Sequence, residues 1–513
     1  MAAPAAGRYH CASSRSVTTL LPNPQGWIVT FLKDEAWQGR VYSGGWVTPE
    51  GGDAAVIEPA TGAELARTGI ASPADMARAT RLAAAAQPAW AAVPHTERAA
   101  LLRRAAAIWE ANAADIEQWV IRESGKIAPA AQFETHVAVG EIYEAATLPS
   151  RPYGELLRSE QPRLSFAERV PAGVVGVISP FNFPQILGIR SVAPALALGN
   201  AVVLKPDPRT AVCGGVVLAR VFEEAGLPDG LLHVLPGGVD AGEAMIADPL
   251  VRIISFTGST AAGRRVGELA ARHLKRVHLE LGGNSALVIL DDADVARAAS
   301  AGAWGSFLHQ GQICMTTGRH LVHEAVYEDY VAAMADKASH LPVGDPATGQ
   351  VALGPIIDER QRDKVHALVT ASTDAGARLA AGGTYEGLFY QPTVLADLTQ
   401  ETPAYANEVF GPVAPVLRFG TVDEVAAIAA NSEYGLSLGI LTRDVMRGLD
   451  LARRIPSGIV HINDQTVDDE PTVPFGGVLD SGTGTRFGGT ANLEAFTETR
   501  WVTMQGDITP YPF

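Results

Sequence analysis

The 513-residue sequence has little cysteine: three residues, Cys11, Cys213 and Cys314. Three thiols make no disulfide framework, and no Cys-x-x-Cys pair is present to hold zinc. The count suits a reducing, cytoplasmic setting, and no metal site is expected. Long apolar runs are missing too. None approaches the roughly 18 residues that span a bilayer. Positive charge is in deficit, with 40 Lys and Arg against 56 Asp and Glu and a net charge of -16. Nucleic acids and anionic membranes call for the opposite sign, although a local basic pocket for a phosphate stays possible. Gly-x-Gly-x-x-Gly after a strand and the Walker Gly-Lys-Thr/Ser are both absent. The segment from Gly482 through Gly484 to Gly488 has the wrong spacing and context for a dinucleotide turn.

What is present is an ordinary globular composition, 47% hydrophobic and 19% charged. The length sets a prior of roughly three domains. Residues 1–30 contain Arg8 and Arg15, a Ser/Thr/Pro stretch, and Pro22 and Pro24 inside the one apolar patch. They read as a disordered tail or a mis-assigned start; a transit peptide is the lesser alternative. From 72 to 146 the pattern is helical. Ser72-Pro73 offers a cap, Thr96-Glu97 starts a second segment, and Asn112 caps a third.

The period then changes. Short apolar runs at 174–178, 201–204, 231–235, 252–256 and 276–279 alternate with helical stretches. That is the rhythm of βαβ units and a doubly wound, Rossmann-like sheet. A second α/β series follows residue 283, with strands expected at 286–290, 320–323, 413–419, 438–441 and 459–462. The segments 163–170 and 499–504 also alternate like strands but fit neither sheet. They are expected to pair with each other or with another subunit. The domain reading places 31–151 with 172–282, 283–480 as a second domain, and 152–171 with 494–506 as a separate element.

Ligands of open parallel sheets bind beyond the carboxyl ends of the strands. Those ends here carry Asn182, Lys205-Pro-Asp207, Gly258-Ser259 and Glu280-Leu-Gly-Gly283. The junction Gly258 to Gly263 could present free N–H groups to a pyrophosphate, or could simply be a glycine turn with a Ser or Thr cap. Cys314 lies in a polar, glycine-containing loop, where the bland reading is a buried inert thiol. Glu280 ends an apolar strand, and Glu408 sits before Val-Phe-Gly-Pro. Acids in such places are ion-paired or functional.

Six ordered segments carry a family resemblance. They are Ser179-Pro-Phe-Asn-Phe-Pro184, Phe256-Thr-Gly-Ser-Thr260, Leu279-Glu-Leu-Gly-Gly-Asn284, Gly311-Gln-Ile-Cys314, Glu408-Val-Phe-Gly-Pro412 and Pro474-Phe-Gly-Gly477. Together they resemble the NAD(P)-dependent aldehyde dehydrogenases, from about residue 40 to 505. The resemblance implies a Rossmann-like cofactor domain, a catalytic domain and a β-flap that joins subunits into a homodimer or homotetramer. It implies Cys314 as nucleophile, Glu280 as activator of water, and Asn182 as oxyanion donor. It gives Lys205 and Glu408 the cofactor riboses, Gly258 and Ser259 the pyrophosphate, and Phe410 the nicotinamide. One departure bears on the cofactor. Pro208 stands where many NAD-preferring members carry Glu, so Asp207 is the expected substitute. NAD is favoured, with NADP the alternative.

The segments Trp37–Trp46 and His461–Glu470, with Arg486-Phe-Gly-Gly489 and Trp501, resemble the benzaldehyde dehydrogenase branch and its vanillin and salicylaldehyde relatives. Phe183, Leu187, Val467 and Phe475 would then line a slot for a flat ring. The expected substrate is a benzaldehyde-like aromatic aldehyde, with vanillin, salicylaldehyde or a semialdehyde as the alternatives. Arg190 is expected either to meet an anionic substrate group or to pair with a nearby acid. The presence of Glu280 argues against transfer to coenzyme A. The presence of all three catalytic residues argues against a non-catalytic role.

Overall fold

The computed structural model describes residues 31, 32 and 34–513; the reading of 1–30 as a tail lies outside them. Two seven-stranded sheets organise the chain. The first runs Arg276–Glu280, Val251–Thr257, Val174–Ile178, Ala201–Lys205, Leu232–Val234, Val41–Ser43 and Trp46–Val47 in spatial order. The first five strands in this order are the five apolar runs of the sequence, all parallel. They are buried on both faces, which is why they read as unbroken hydrophobic stretches rather than alternating ones. The expectation of a purely parallel sheet fails at the edge, where Val41–Ser43 adds antiparallel to Leu232–Val234.

The helical region before this sheet holds four helices: Pro73–Ala91, His95–Ala111, Ala113–Ser124 and Ala128–Ala145. Ser72 caps the first, with a reciprocal bond from its own N–H to the Asp75 carboxylate. Asn112 precedes the third helix but does not cap it with its side chain; Nδ2 donates back to Ile108 O at 2.7 Å instead.

The second sheet runs Arg378–Ala381, Thr393–Ala396, Val413–Phe419, Thr317–His323, Ser285–Ile289, Ser437–Leu441 and Ile459–Ile462. It too is parallel except for the edge strand Arg378–Ala381. The segments that fitted neither sheet pair with each other. Leu164–Pro171 and Thr497–Met504 run antiparallel over eight residue pairs, and Gly154–Leu156 adds a third strand. The chain crosses from the first sheet to the second between Glu280 and Ser285. The polar strand ends of the first sheet therefore face the loops that open the second. Among the described residues no helix is long and apolar enough to cross a membrane.

Candidate active site

Cys314 lies at the junction of two cavities. One, of about 890 Å³, runs along the carboxyl ends of the first sheet and is bordered by Lys205, Asp207, Gly258, Ser259, Glu408 and Phe410. The other, of about 450 Å³, is bordered by Phe183, Leu187, Val467, Phe475, Trp304 and Arg190. Cys314 and Asn182 line both. Every cofactor and substrate position expected from the sequence thus borders one of these spaces.

The loop bearing Cys314 is held in an unusual backbone. His309 and Gln310 have φ of 48° and 55°, and Gly311 continues at 65°. A Cβ on Gly311 would meet Gly411 O at 2.1 Å, so only glycine fits. Buried hydrogen bonds of the Gln310 and Gln312 side chains hold the loop in place. Gln310 Nε2 donates to Gly125 O and Pro355 O at 2.9 and 2.8 Å, and Ile357 N donates to Gln312 Oε1. Gly283 lets the opposing loop close on Cys314, since a Cβ there would lie 2.3 Å from Cys314 O.

Asn182 enters from the end of Val174–Ile178, just before the helix Pro184–Ala197. One N–H of its amide donates to Gln312 O at 2.9 Å, which aims the side chain at the cysteine loop. Its own carbonyl accepts from Lys126, whose ammonium is fully buried and paired with Glu134. Lys126 was not singled out from the sequence. It sits on the loop after a helix end, with nothing local to mark it.

Glu280 is buried at the end of its strand, and Gly477 N donates to Oε2 at 3.3 Å. Its Oε1 has no partner. Burial pushes this carboxyl up to about 8, against the opposing pull of Arg190. Burial also pushes the Cys314 thiol up, to about 12, with Glu408 and Glu280 adding to it. The thiol is thus protonated at neutral pH in this state, and a base must take its proton. A carboxylate tuned near neutrality is suited to that task.

Glu408 Oε1 accepts from Gly283 N at 3.0 Å, and burial raises its carboxyl. Phe410 adopts a φ of 56° and meets Phe181 edge-on at 6.0 Å. Ser259 caps the helix Thr260–Arg272, its hydroxyl accepting from Ala262 N at 3.4 Å. Lys205 ends its strand with its stem against Gly242, and burial lowers its ammonium. Asp207 is a more constrained group than the sequence suggested. Burial would raise its carboxyl, but Arg209 donates to both oxygens and holds it below the usual carboxylate range. Arg209 also pairs with Asp358 at 2.6 Å.

The volume and lining of the larger cavity fit a dinucleotide. It offers a helix N-terminus at Ser259, a strand-end lysine, a carboxylate at each end, and an aromatic ring beside Cys314. Among the described residues no cluster of His, Cys, Asp or Glu is disposed to hold a metal ion.

A sheet pair joined at a cysteine, with a dinucleotide-sized crevice on one side and an apolar slot on the other, defines the class of NAD(P)-dependent aldehyde dehydrogenases. The chain belongs to the aldehyde dehydrogenase family, whose pattern matches residues 46–502. It is 70% identical to a vanillin dehydrogenase of Amycolatopsis sp., over 94% of this chain and 100% of that protein. It is 50% identical to an NAD(+) benzaldehyde dehydrogenase of Pseudomonas putida, over 93% of this chain and 98% of that one. Among solved structures, betaine aldehyde dehydrogenase of Staphylococcus aureus, in complex with NAD+, superposes with a TM-score of 0.90 at 26% identity, over 93% of this chain and 96% of that one. An NADP-dependent enzyme of Escherichia coli gives 0.89 at 32% identity, over 92% of this chain and 99% of that one.

Proposed function

We propose that this enzyme oxidises ring-hydroxylated aromatic aldehydes of the vanillin type to their carboxylates with NAD(P)+. The observation that carries the reading is the position of Cys314, shared by the dinucleotide-sized crevice and the aromatic slot. The sequence alone puts a benzaldehyde-like aldehyde first, with vanillin among the alternatives. The 70% identity to a vanillin dehydrogenase, against 50% to a benzaldehyde dehydrogenase, moves the weight to the substituted ring. The slot supports this. Beside Phe183, Leu187, Val467 and Phe475 it presents Asp464, Asp468 and Glu470, carboxylates that can accept from a ring hydroxyl.

The chemistry follows from the groups at the junction. Glu280 takes the thiol proton, and the Cys314 thiolate attacks the carbonyl carbon, forming a C–S bond. The carbonyl oxygen becomes an oxyanion. The second N–H of the Asn182 amide and the Cys314 backbone N–H would receive it. Hydride acceptance from the former carbonyl carbon is the chemistry that a bound NAD(P)+ would supply. A thioester on Cys314 remains. Once Glu280 has passed the thiol proton on to solvent, its carboxylate takes a proton from water, the hydroxide adds to the acyl carbon, and the C–S bond breaks to return the thiolate and release the acid. Lys205 and Glu408 would hold the two riboses, Gly258 and Ser259 the pyrophosphate, and Phe410 the nicotinamide face.

NAD is the proposed cofactor. Arg209, the residue best placed to meet a 2′-phosphate, is already engaged by Asp207 and Asp358. The flap formed by Leu164–Pro171 and Thr497–Met504 would join subunits, and a free thiol nucleophile fits a reducing cytoplasm. The test is NAD(P)H formation with vanillin, benzaldehyde and succinic semialdehyde, each with both cofactors and without coenzyme A. Vanillin with NAD+ is expected to give the highest kcat/KM. A strict need for coenzyme A would overturn the hydrolytic reading.

A further inference from the structure

Arg190 belongs to none of the roles above, yet it is among the most deeply buried charges in the chain. It projects from the helix Pro184–Ala197 into the wall of the aromatic slot. Its Nη2 donates to Glu141 Oε1 at 3.3 Å and to Asp469 Oδ2. Glu141 lies on the helix Ala128–Ala145, while Asp469 comes from the loop after Ile459–Ile462. The guanidinium stacks on the Phe475 ring at 4.4 Å. Phe475 precedes Gly476 and Gly477, the strip on which Glu280 rests: its Oε2 accepts from Gly477 N, and its Oε1 lies against Gly476.

The charge arithmetic around this cluster is unbalanced. The Arg190 guanidinium bonds two buried carboxylates, Glu141 and Asp469, and its charge also pulls on a third, Glu280. Arg486 acts on Glu280 too, with its Nη1 bonded to Gly477 O at 3.0 Å. Cys314 is the remaining titratable group facing Glu280. Asp468 and Glu144 stand behind Asp469 and Glu141. Arg190 still has two unpartnered buried N–H positions, Nε and Nη1, and Asp469 Oδ1 and Glu280 Oε1 are unpartnered as well. Charges this poorly matched cost stability if their only role is to tie elements together.

We propose that Arg190 is a positioning residue of the reaction: clamped between Glu141 and Asp469 and stacked on Phe475, it supplies the positive charge against which Glu280 works, and Asp469 sets how much of that charge Glu280 feels. The inference rests on the proposed roles of Glu280 and Cys314. Its signature is a pair of opposite effects. Removing Arg190 leaves Glu280 harder to ionise; removing the charge of Asp469 leaves it easier to ionise.

The experiment is the pH profile of kcat with vanillin and NAD+ for the wild type, Arg190→Met, Arg190→Lys and Asp469→Asn. The rate of Cys314 alkylation by iodoacetamide is followed over the same pH range. Glu280 acts deprotonated, so activity rises with pH through its titration. Arg190→Met should move that rise about one pH unit to the alkaline side, a roughly tenfold loss of kcat at neutral pH that recovers at high pH. Asp469→Asn should move it about half a unit to the acid side, and Arg190→Lys should restore most of the wild-type profile. Alkylation should shift in the same directions. Profiles that superimpose, or that move the same way in both variants, would overturn the proposal, whatever the loss in kcat. If Arg190→Met does not fold, Arg190→Lys and Asp469→Asn still carry the comparison. A wild type that oxidises no aromatic aldehyde would sink the functional reading instead, and the alkylation profiles would then decide the role of Arg190 alone.

Discussion

At the residue scale, the proposed chemistry is divided among Cys314, Glu280 and Asn182, and each removal has its own expected kinetic signature. Glu280→Gln is expected to keep a single turnover of hydride transfer at high pH and to lose steady-state turnover by at least about a hundredfold, because water is no longer activated. Stopped-flow measurement of the first turnover against the steady state reads this directly. Asn182→Ala is expected to lower kcat by about 10²–10³, since one oxyanion donor is lost. A loss confined to KM would show that the amide only binds substrate. These residues were legible in the sequence because each ends or follows a distinctive local segment. Arg190 was legible as a charge but not as a cluster. Its partners Glu141 and Asp469 are 49 and 279 residues away in sequence. No local pattern brings them together; only the packing of helix Pro184–Ala197 against Ala128–Ala145 and the later loop does so. Lys126 was missed for the same reason, as its contact to Asn182 spans 56 residues.

At the scale of elements, the parallel strands were readable because burial on both faces leaves continuous apolar runs. The short antiparallel edges at 41–47 and 378–381 were not, because they are brief and only partly apolar. The flap was readable from alternation, and its residues explain its proposed role. Trp501 is 63% exposed although its indole N–H donates to Ser165 Oγ at 2.9 Å. Leu156, Leu164 and Met504 are exposed beside it. An open three-stranded edge with this much apolar surface supports the proposal that the flap pairs with a second subunit. Trp501→Glu is expected to shift the protein toward smaller species in analytical ultracentrifugation while leaving the far-UV circular dichroism unchanged. An unchanged sedimentation profile would place the subunit contact elsewhere.

At the scale of the whole molecule, the site stores a stability cost. Burial raises the Glu280 and Glu141 carboxyls from 4.5 to about 8. The folded chain therefore holds protons that the unfolded chain releases over that interval. Stability from these groups is fully present below the ordinary carboxylate range and is lost as pH rises through about 8. The Tm is expected to fall between mildly acidic and mildly alkaline pH, and Glu280→Gln should flatten part of that slope. A variant with the wild-type slope would show that Glu280 is not the group responsible. The two-sheet architecture explains why such a cost is tolerated. Glu280 stands where one sheet ends and the other begins, Glu141 on the helix Ala128–Ala145, and large cores surround the two sheets.

Cys314 is proposed to join a crevice for NAD(P)+ to a slot for an aromatic aldehyde. The most direct measurement follows NAD(P)H released from vanillin without coenzyme A by the wild type and by Cys314→Ala, alongside mass spectrometry of the acyl-enzyme. The account predicts turnover and a vanilloyl adduct on Cys314 in the wild type. In the variant it predicts a loss of at least about a thousandfold, with no adduct. Turnover that survives in Cys314→Ala, or an adduct on Cys213, would contradict it.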